Sequence, residues 1–273
     1  MGSRGLPFRP LQGLALAAMI VLATGCASVP DRSDTEAYAE FREVNDPLEP
    51  LNRGIFEANR ALDVMFLRPA AIMFREFLPP PFQRGIHNFL SNLRTPVVLA
   101  NDLLQGEMER AGATIARFLI NTTLGVGGLD DPASDLGWQN HDEDFGQTLA
   151  VWGLPEGPFL MLPIIGPSNP RDAVGLLVDS LLIDPIAWWI RADTDSRTWI
   201  GYTRAGVTAV GARARLYEEL DELEKTSLDL YASIRSLYRQ HRRTEIHQGR
   251  IAPDSLDPLL YDLPDISEEN PDE

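Results

Sequence analysis

The 273-residue chain holds one cysteine, Cys26, and one lysine, Lys225. A single cysteine excludes an intrachain disulfide and a metal site built on several thiolates. A catalytic thiol would want a pocket, and Cys26 stands in "VLATGCASVPD", where an apolar run gives way to a polar one. What remains for it is covalent attachment. Catalytic signatures are also missing. There is no G-x-S-x-G elbow, no H-E-x-x-H and no G-x-x-x-x-G-K-[ST] phosphate loop. Positive charge is scarce, with 24 Lys+Arg against 40 Asp+Glu and a formal net charge of −16. Binding to nucleic acid by counterion release needs clustered bases, so that partner is excluded. Net charge likewise rules out electrostatic adhesion to an anionic membrane.

The leader has its own pattern. Arg4 and Arg9 come without acids, Leu11 to Leu22 is apolar, and Ala23, Thr24 and Gly25 precede Cys26. The apolar run is the length of a signal-peptide core and short for a membrane span. This resembles the lipobox of bacterial lipoproteins. Residues 1–25 are therefore expected to be a lipoprotein signal peptide, and Cys26 the lipid attachment site. Without Arg4 and Arg9 the remaining chain is near −18. Acyl chains hold such a chain at a membrane regardless of charge, at about 0.8 kcal/mol per buried methylene. Ala27, following the cysteine, points by analogy to the outer membrane rather than the inner one.

Residues 26–44 read as the lipidated N-terminus and a polar tether, and 45–249 as one helical domain. Residues 250–273 read as a disordered acidic tail, since 251–273 carry eight acids, four prolines and no base. Within the domain, prolines punctuate helical spacings. Leu51, Ile55, Leu62 and Phe66 mark a first helix. "PPPFQRGIHNFLSNL" opens another with prolines suited to a first turn. Met108, Ala111, Ile115, Phe118 and Leu119 share a face of a third. Leu216, Leu220 and Leu223 stripe one C-terminal helix. Leu230, Ile234, Leu237 and His241 stripe the next, after a break near Thr226 and Ser227. No internal repeat and no strand ladder is evident.

Residues 145–190 are apolar yet rich in Gly and Pro, and before Asn169 their one acid is Glu156. Pro155, Pro158, Pro163, Pro167, Asp179 and Asp184 interrupt any spanning helix. Two readings stand: a buried, loop-rich core, or an element at the lipid interface. Trp188, Trp189 and Trp199 favour the second, because indole rings suit a headgroup boundary. Leu154, Gly157, Phe159, Leu160, Ile164, Ile165 and Gly166 are the candidates for lipid contact or a channel mouth.

Other features read more simply. "HDED", His141–Asp144, offers consecutive acids that do not converge on a metal, and is expected to be a solvated loop. "LGVGG" is expected to be a helix end and turn. His87 and His241 are expected to be partly buried helix residues. Arg235, Arg239, Arg242 and Arg243 form a basic helix, either a solvated face or a contact for phosphate or an acidic partner. No cofactor and no metal site is expected.

The body resembles the MlaA family, also called VacJ lipoproteins. The motifs that carry the resemblance run in order: "NDPLEPLNRGIFEAN" (45–59), "RPAA" (68–71), "GIHNFLSNLRTP" (85–96), "ANDLLQGE" (100–107), "RFLINTTLGVGGLDDPAS" (117–134), "EDFGQTLAVWG" (143–153), "GPFLMLPIIGPSNPRDAVG" (157–175) and "DLYASIRSLYRQHR" (229–242). The resemblance implies an all-α fold, a ring of helices lying in the periplasmic leaflet of the outer membrane around a central amphipathic channel. It implies a non-enzymatic lipoprotein that removes mislocalised phospholipid from the outer leaflet. The implied partners are phospholipid, a trimeric general porin and a periplasmic lipid carrier of the MlaC type. Two alternatives stand beside it, a porin-associated scaffold without transport and a membrane-bound lipid hydrolase.

Overall fold

The computed structural model describes residues 46–247. Cys26 and the segments expected to be a signal peptide, a tether and an acidic tail lie outside the described residues. The described part is all-α except for one short hairpin.

Helix α1 (Glu49–Leu62) places Pro50 in its first turn, Glu49 at its positive end and Arg60 in its last turn. A π-helical turn, Asp63–Leu67, leads into α2 (Arg68–Phe77). Helix α3 (Pro80–Gln105) starts on the proline run and ends at Gly106, whose φ of 80° closes it with a left-handed cap. Pro96 sits inside this helix, where it removes one backbone donor. Helix α4 (Met108–Thr123) returns along α3. The short helices α5 (Pro132–Asp135) and α6 (Phe145–Val151) are capped by Asp131 and Asp144, whose side chains accept from Ser134 N–H and Gln147 N–H.

Strands β1 (Leu160–Leu162) and β2 (Gly166–Ser168) form an antiparallel hairpin, with Leu160 opposite Ser168 and Leu162 opposite Gly166. It departs from the expected loop because neighbouring asparagines occupy its free backbone groups, as described below. Helix α7 (Pro170–Val178) is capped by Asn169 and continues through a π-helical turn, Asp179–Ile183, to α8 (Pro185–Arg191). Helices α9 (Thr194–Arg215), α10 (Tyr217–Thr226) and α11 (Leu230–Ile246) complete the chain. The break near Thr226 and Ser227 falls where the leucine stripes change phase. Leu216, assigned to the α10 stripe, lies between α9 and α10.

The distribution of side chains is inverted relative to a water-soluble protein. The most completely buried large side chains are Gln147, Glu143, Asn52, Asn101, Thr148 and Asp102. Among the described residues the large buried apolar side chains gather in one small cluster, Phe56, Phe159, Met161 and Tyr231, with Tyr231 edge-on to both phenylalanines at 5.6 and 6.0 Å between ring centres, while Val97, Val98 and four alanines are buried elsewhere. Phe66, Phe77, Phe82, Leu119, Leu182 and Trp199 are all exposed. Water-soluble folds bury residues of this kind, and an exposed apolar surface spread over several helices marks contact with lipid or protein.

No single helix among the described residues is long and apolar enough to cross a membrane. The apolar pair Pro170–Ile183 and Pro185–Arg191 is bent by 64°.

Candidate functional site

The hairpin is held by two asparagines of α1. Asn52 donates to the Phe159 carbonyl at 3.1 Å and accepts from Met161 N–H at 2.9 Å. One helical turn pair later, Asn59 donates to the Leu162 carbonyl at 2.9 Å and accepts from Ile164 N–H at 2.7 Å. The amides thus act as a strand edge for β1. Asn52 is itself fixed by Asp46, which also pairs with Arg235.

This frame divides the seven candidate residues. Phe159 is only 3% exposed and packs on Tyr231 and Tyr238, so it anchors the hairpin base in the core. Leu160 is half-buried, while Leu154 and Ile165 are exposed and Ile164 is 84% exposed at the tip. Ile164 also holds φ at 68°, which is costly for a β-branched residue. Gly166, at φ 99°, has open space around it. Gly157, at φ 74°, lies against the Pro170 ring, which would stand 3.2 Å from an added Cβ.

The loop His141–Asp144 is not solvated as a whole. Only Asp142 is exposed. Glu143 pairs with Arg110 at 2.5 Å and accepts from Gln105 at 2.8 Å. Burial pushes its carboxyl above the usual range. Asp144 combines the α6 cap with a pair to Arg242 at 2.7 Å. The reason is local supply of partners: α3, α4 and α11 bring Gln105, Arg110 and Arg242 to the loop. Sequence spacing alone does not show them.

Three of the four arginines on α11 are likewise engaged within the chain, which corrects the expectation of a solvated face. Arg235 pairs with Asp46, Arg239 with Glu156, and Arg242 with both Asp144 and Asp172. Burial works to raise Asp144 and Asp172, and Arg242 outweighs it, holding both below the usual carboxylate range. Arg243 is exposed. His87 and His241 are exposed rather than partly buried, because their helix faces turn outward beside Arg215 and Glu245.

Among the described residues Thr114, His141 and Asp102 form a cluster suggestive of nucleophilic catalysis. Its wiring is wrong for that. The same nitrogen, His141 Nε2, contacts both Thr114 Oγ1 (3.2 Å) and Asp102 (3.1 Å), and Thr114 donates directly to Asp102 at 2.6 Å. A triad needs the two imidazole nitrogens to serve different partners. Among the described residues no group of three His, Cys, Asp or Glu is placed to hold a metal.

A polar cavity of about 70 Å³ lies between α3, α4 and the following turn. His87, Asn88, Ser91, Asn121, Arg117 and Asp131 line it. Arg117 grips both Asp131 oxygens at 3.0 and 2.8 Å. Burial works to raise Asp131, but hydrogen bonds from Ser134, Arg117 and Asn121 leave it below the usual range. Gly128, at φ 90°, lets the turn lie against Asn92, 2.6 Å from where a Cβ would sit. "LGVGG" is thus a helix end and turn, as expected.

A profile of the MlaA lipoprotein family matches residues 44–245. The chain belongs to the MlaA lipoprotein family. The intermembrane phospholipid transport system lipoprotein MlaA of Haemophilus influenzae is 33% identical over 241 residues, covering 87% of this chain and 90% of its own. The Escherichia coli K12 protein of the same name is 31% identical over 262 residues, covering 93% and 98%. A Rickettsia prowazekii protein of uncharacterized function is 36% identical over 204 residues, covering 75% and 79%. One solved structure, described as the structural basis for maintenance of bacterial outer membrane lipid asymmetry, superposes with a TM-score of 0.65 at 33% identity. The match covers 74% of this chain and 98% of that one. The family motifs include two residues that spacing arguments did not single out, Asn52 and Asn59 on α1, and Arg242 on α11, whose buried clasp to Asp144 and Asp172 spacing did not show. The available signal for the asparagines was polarity out of place, two amides beside an apolar stripe.

Proposed function

We propose that this protein is a non-enzymatic phospholipid conduit of the outer membrane, anchored in the periplasmic leaflet by lipid on Cys26. In this reading residues 1–25 are removed as a signal peptide, 26–44 tether the helical domain of 45–249, and 250–273 extend as an acidic tail. The helices form a ring around an amphipathic channel. The observation that carries the proposal is the inversion of polarity: buried amides and carboxylates inside, large apolar side chains outside. A protein immersed to one leaflet's depth needs such an exterior. A passage for a charged headgroup needs a polar interior, and the polar lining of the cavity beside Asn88 and Asn121 is in keeping with that need. The bent apolar pair with Trp188 and Trp189 suits an element that enters a leaflet and returns.

The energetics require such a path. Exposing two chains of about 16 carbons to water costs on the order of 25 kcal/mol at 0.8 kcal/mol per methylene. The chains must therefore remain in lipid or against protein while the headgroup crosses. Phospholipid taken from the outer leaflet would pass to a periplasmic carrier of the MlaC type, with a trimeric general porin holding the ring in place. The names of the Haemophilus and Escherichia relatives, which specify intermembrane phospholipid transport, support phospholipid as the cargo.

The test is photo-crosslinking in membranes. A crosslinker at Ile165 captures lipid, and one at Phe159 captures the protein's own Tyr231 and Tyr238. Capture of protein alone at Ile165 would favour the scaffold without transport.

A further inference from the structure

Helix α10 walls one side of a cleft of about 260 Å³, where Leu220 and Glu224 meet Phe56, Met161 and Ile234 of α1, the hairpin and α11. None of the residues of α10 is buried. Its hold on the body is ionic instead. Arg60 of α1 donates to Glu224 at 3.1 Å, and Arg68 and Arg75 of α2 donate to Asp221 at 2.7 Å and to Glu218 at 2.6 Å. The partners run in opposite chain directions, so α10 lies antiparallel along α1 and α2. All three pairs are partly open to solvent. The Tyr217 ring, at the start of α10, sits among the guanidinium groups of Arg68, Arg75 and Arg213, at 5.9, 4.9 and 5.4 Å from its centre. Beyond the other end the backbone turns extended at Ser227, Leu228 is fully exposed, and Asp229 is pinned to Arg53 at 2.6 Å. The helix is thus fixed near both ends, and its length is held by contacts that water and salt can reach.

We infer that α10 is an ionic strap, which ionic strength releases from α1 and α2 to open the cleft. A helix kept in place by apolar burial does not loosen as salt rises. One kept by exposed ion pairs does, because the screening length falls from about 10 Å at 0.1 M to about 3 Å at 1 M. An exposed pair favours the closed arrangement at most about fivefold, and three together at most about a hundredfold. That leaves the open arrangement among the minor states that proteins populate. Opening moves Leu220 and Glu224 off the cleft and uncovers Met161, which is 3% exposed when the strap is closed. The Arg213–Asp63 pair, with Arg213 buried on α9, stays behind as part of the body. The strap needs no cargo to move, so it stands whether or not the protein conducts lipid.

The chain carries its own reporters. Met161 lines the cleft, while Met65, Met73 and Met108 are exposed and serve as controls. The full-length protein, purified from membranes in nonionic detergent, is treated with dilute hydrogen peroxide, and sulfoxide at each methionine is followed by mass spectrometry. Raising sodium chloride from about 0.05 to about 0.5 M is expected to speed oxidation of Met161 about threefold or more and to leave the three controls unchanged. Arg75 lies outside the cleft lining. Arg75→Glu is expected to speed Met161 oxidation about fivefold at low salt, and Glu218→Arg in the same chain to restore the native rate. Hydrogen exchange at the Met161 amide, held by Asn52, is expected to stay slow throughout. Oxidation of Met161 in the wild-type chain that ignores salt would overturn the strap, even if the variants failed to fold. So would a charge swap that does not rescue. Parallel acceleration of the Met161 sulfur and its amide would also overturn it, because the hairpin rather than α10 would then be opening.

Discussion

Gly146 and Gly175 cross so closely that a Cβ on Gly175 would stand 2.3 Å from the Gly146 nitrogen. This contact sets α6 against α7 and fixes the hairpin that leaves from one and enters the other. Gly175→Ala is expected to destabilise the fold by about 1–3 kcal/mol, the usual cost of overpacking. Gly112, exposed on α4 with open space around it, is the control. Gly112→Ala is expected to stabilise by about 0.5–1 kcal/mol. Thermal unfolding of the purified protein in detergent separates the two signs.

Arg242 ties α11 to the same crossing through Asp144 and Asp172. Removing one partner of a buried charge network leaves the others uncompensated, so Arg242→Gln is expected to cost about 3 kcal/mol at neutral pH. Both carboxyls titrate below their unfolded value of about 3.9. Their contribution is therefore fully present above that pH and is lost as pH falls through the lower folded values. The gap between native and variant is expected to narrow only below about pH 3.9 and to close as both carboxyls protonate at the lower folded values. A gap that stays constant down to acid would show that the clasp is not ionic.

Asn59 supplies both a donor and an acceptor to the hairpin tip. Asn59→Ala is expected to speed hydrogen exchange at the Ile164 amide markedly. Global stability should fall by about 1 kcal/mol, because the bonds lie near solvent. Exchange at Met161, held by Asn52, is expected to stay slow. Equal acceleration at both amides would mean that the hairpin opens as one unit.

Much of this architecture was legible in the residues. Proline placement and leucine stripes mark α1, α3, α4, α10 and α11, because helix periodicity and first-turn proline are local rules. The hairpin was not, since Leu160–Ser168 shows no alternation and its edge is satisfied by side chains of α1, more than a hundred residues away. The buried state of Glu143 and Asp144 was hidden for the same reason: their partners Arg110 and Arg242 arrive from other helices. The sequence of the apolar middle admits both core and interface. The structure shows it is divided, with Phe159 inward and Ile164 outward within five residues.

Cys26 carries the expectation of membrane anchoring. Cys26→Ser is expected to leave an unprocessed precursor without acyl groups that fails to reach the outer membrane. Mass spectrometry of the wild-type amino terminus is expected to find an acylated chain beginning at residue 26. A mature chain that starts elsewhere and carries no lipid would remove the anchor from the account.

The conduit itself is tested most directly by a plugged variant in living cells. Ser91 lines the polar cavity, and Ser91→Trp fills it while leaving the anchor and the apolar exterior intact. Cells lacking the protein are expected to accumulate phospholipid in the outer leaflet, read by labelling of surface-exposed lipid, and to become sensitive to detergent with chelator. The account predicts that plugged protein, present at wild-type level in the outer membrane, leaves outer-leaflet phospholipid as high as in the deletion. Full restoration of the barrier by the plugged protein would contradict it.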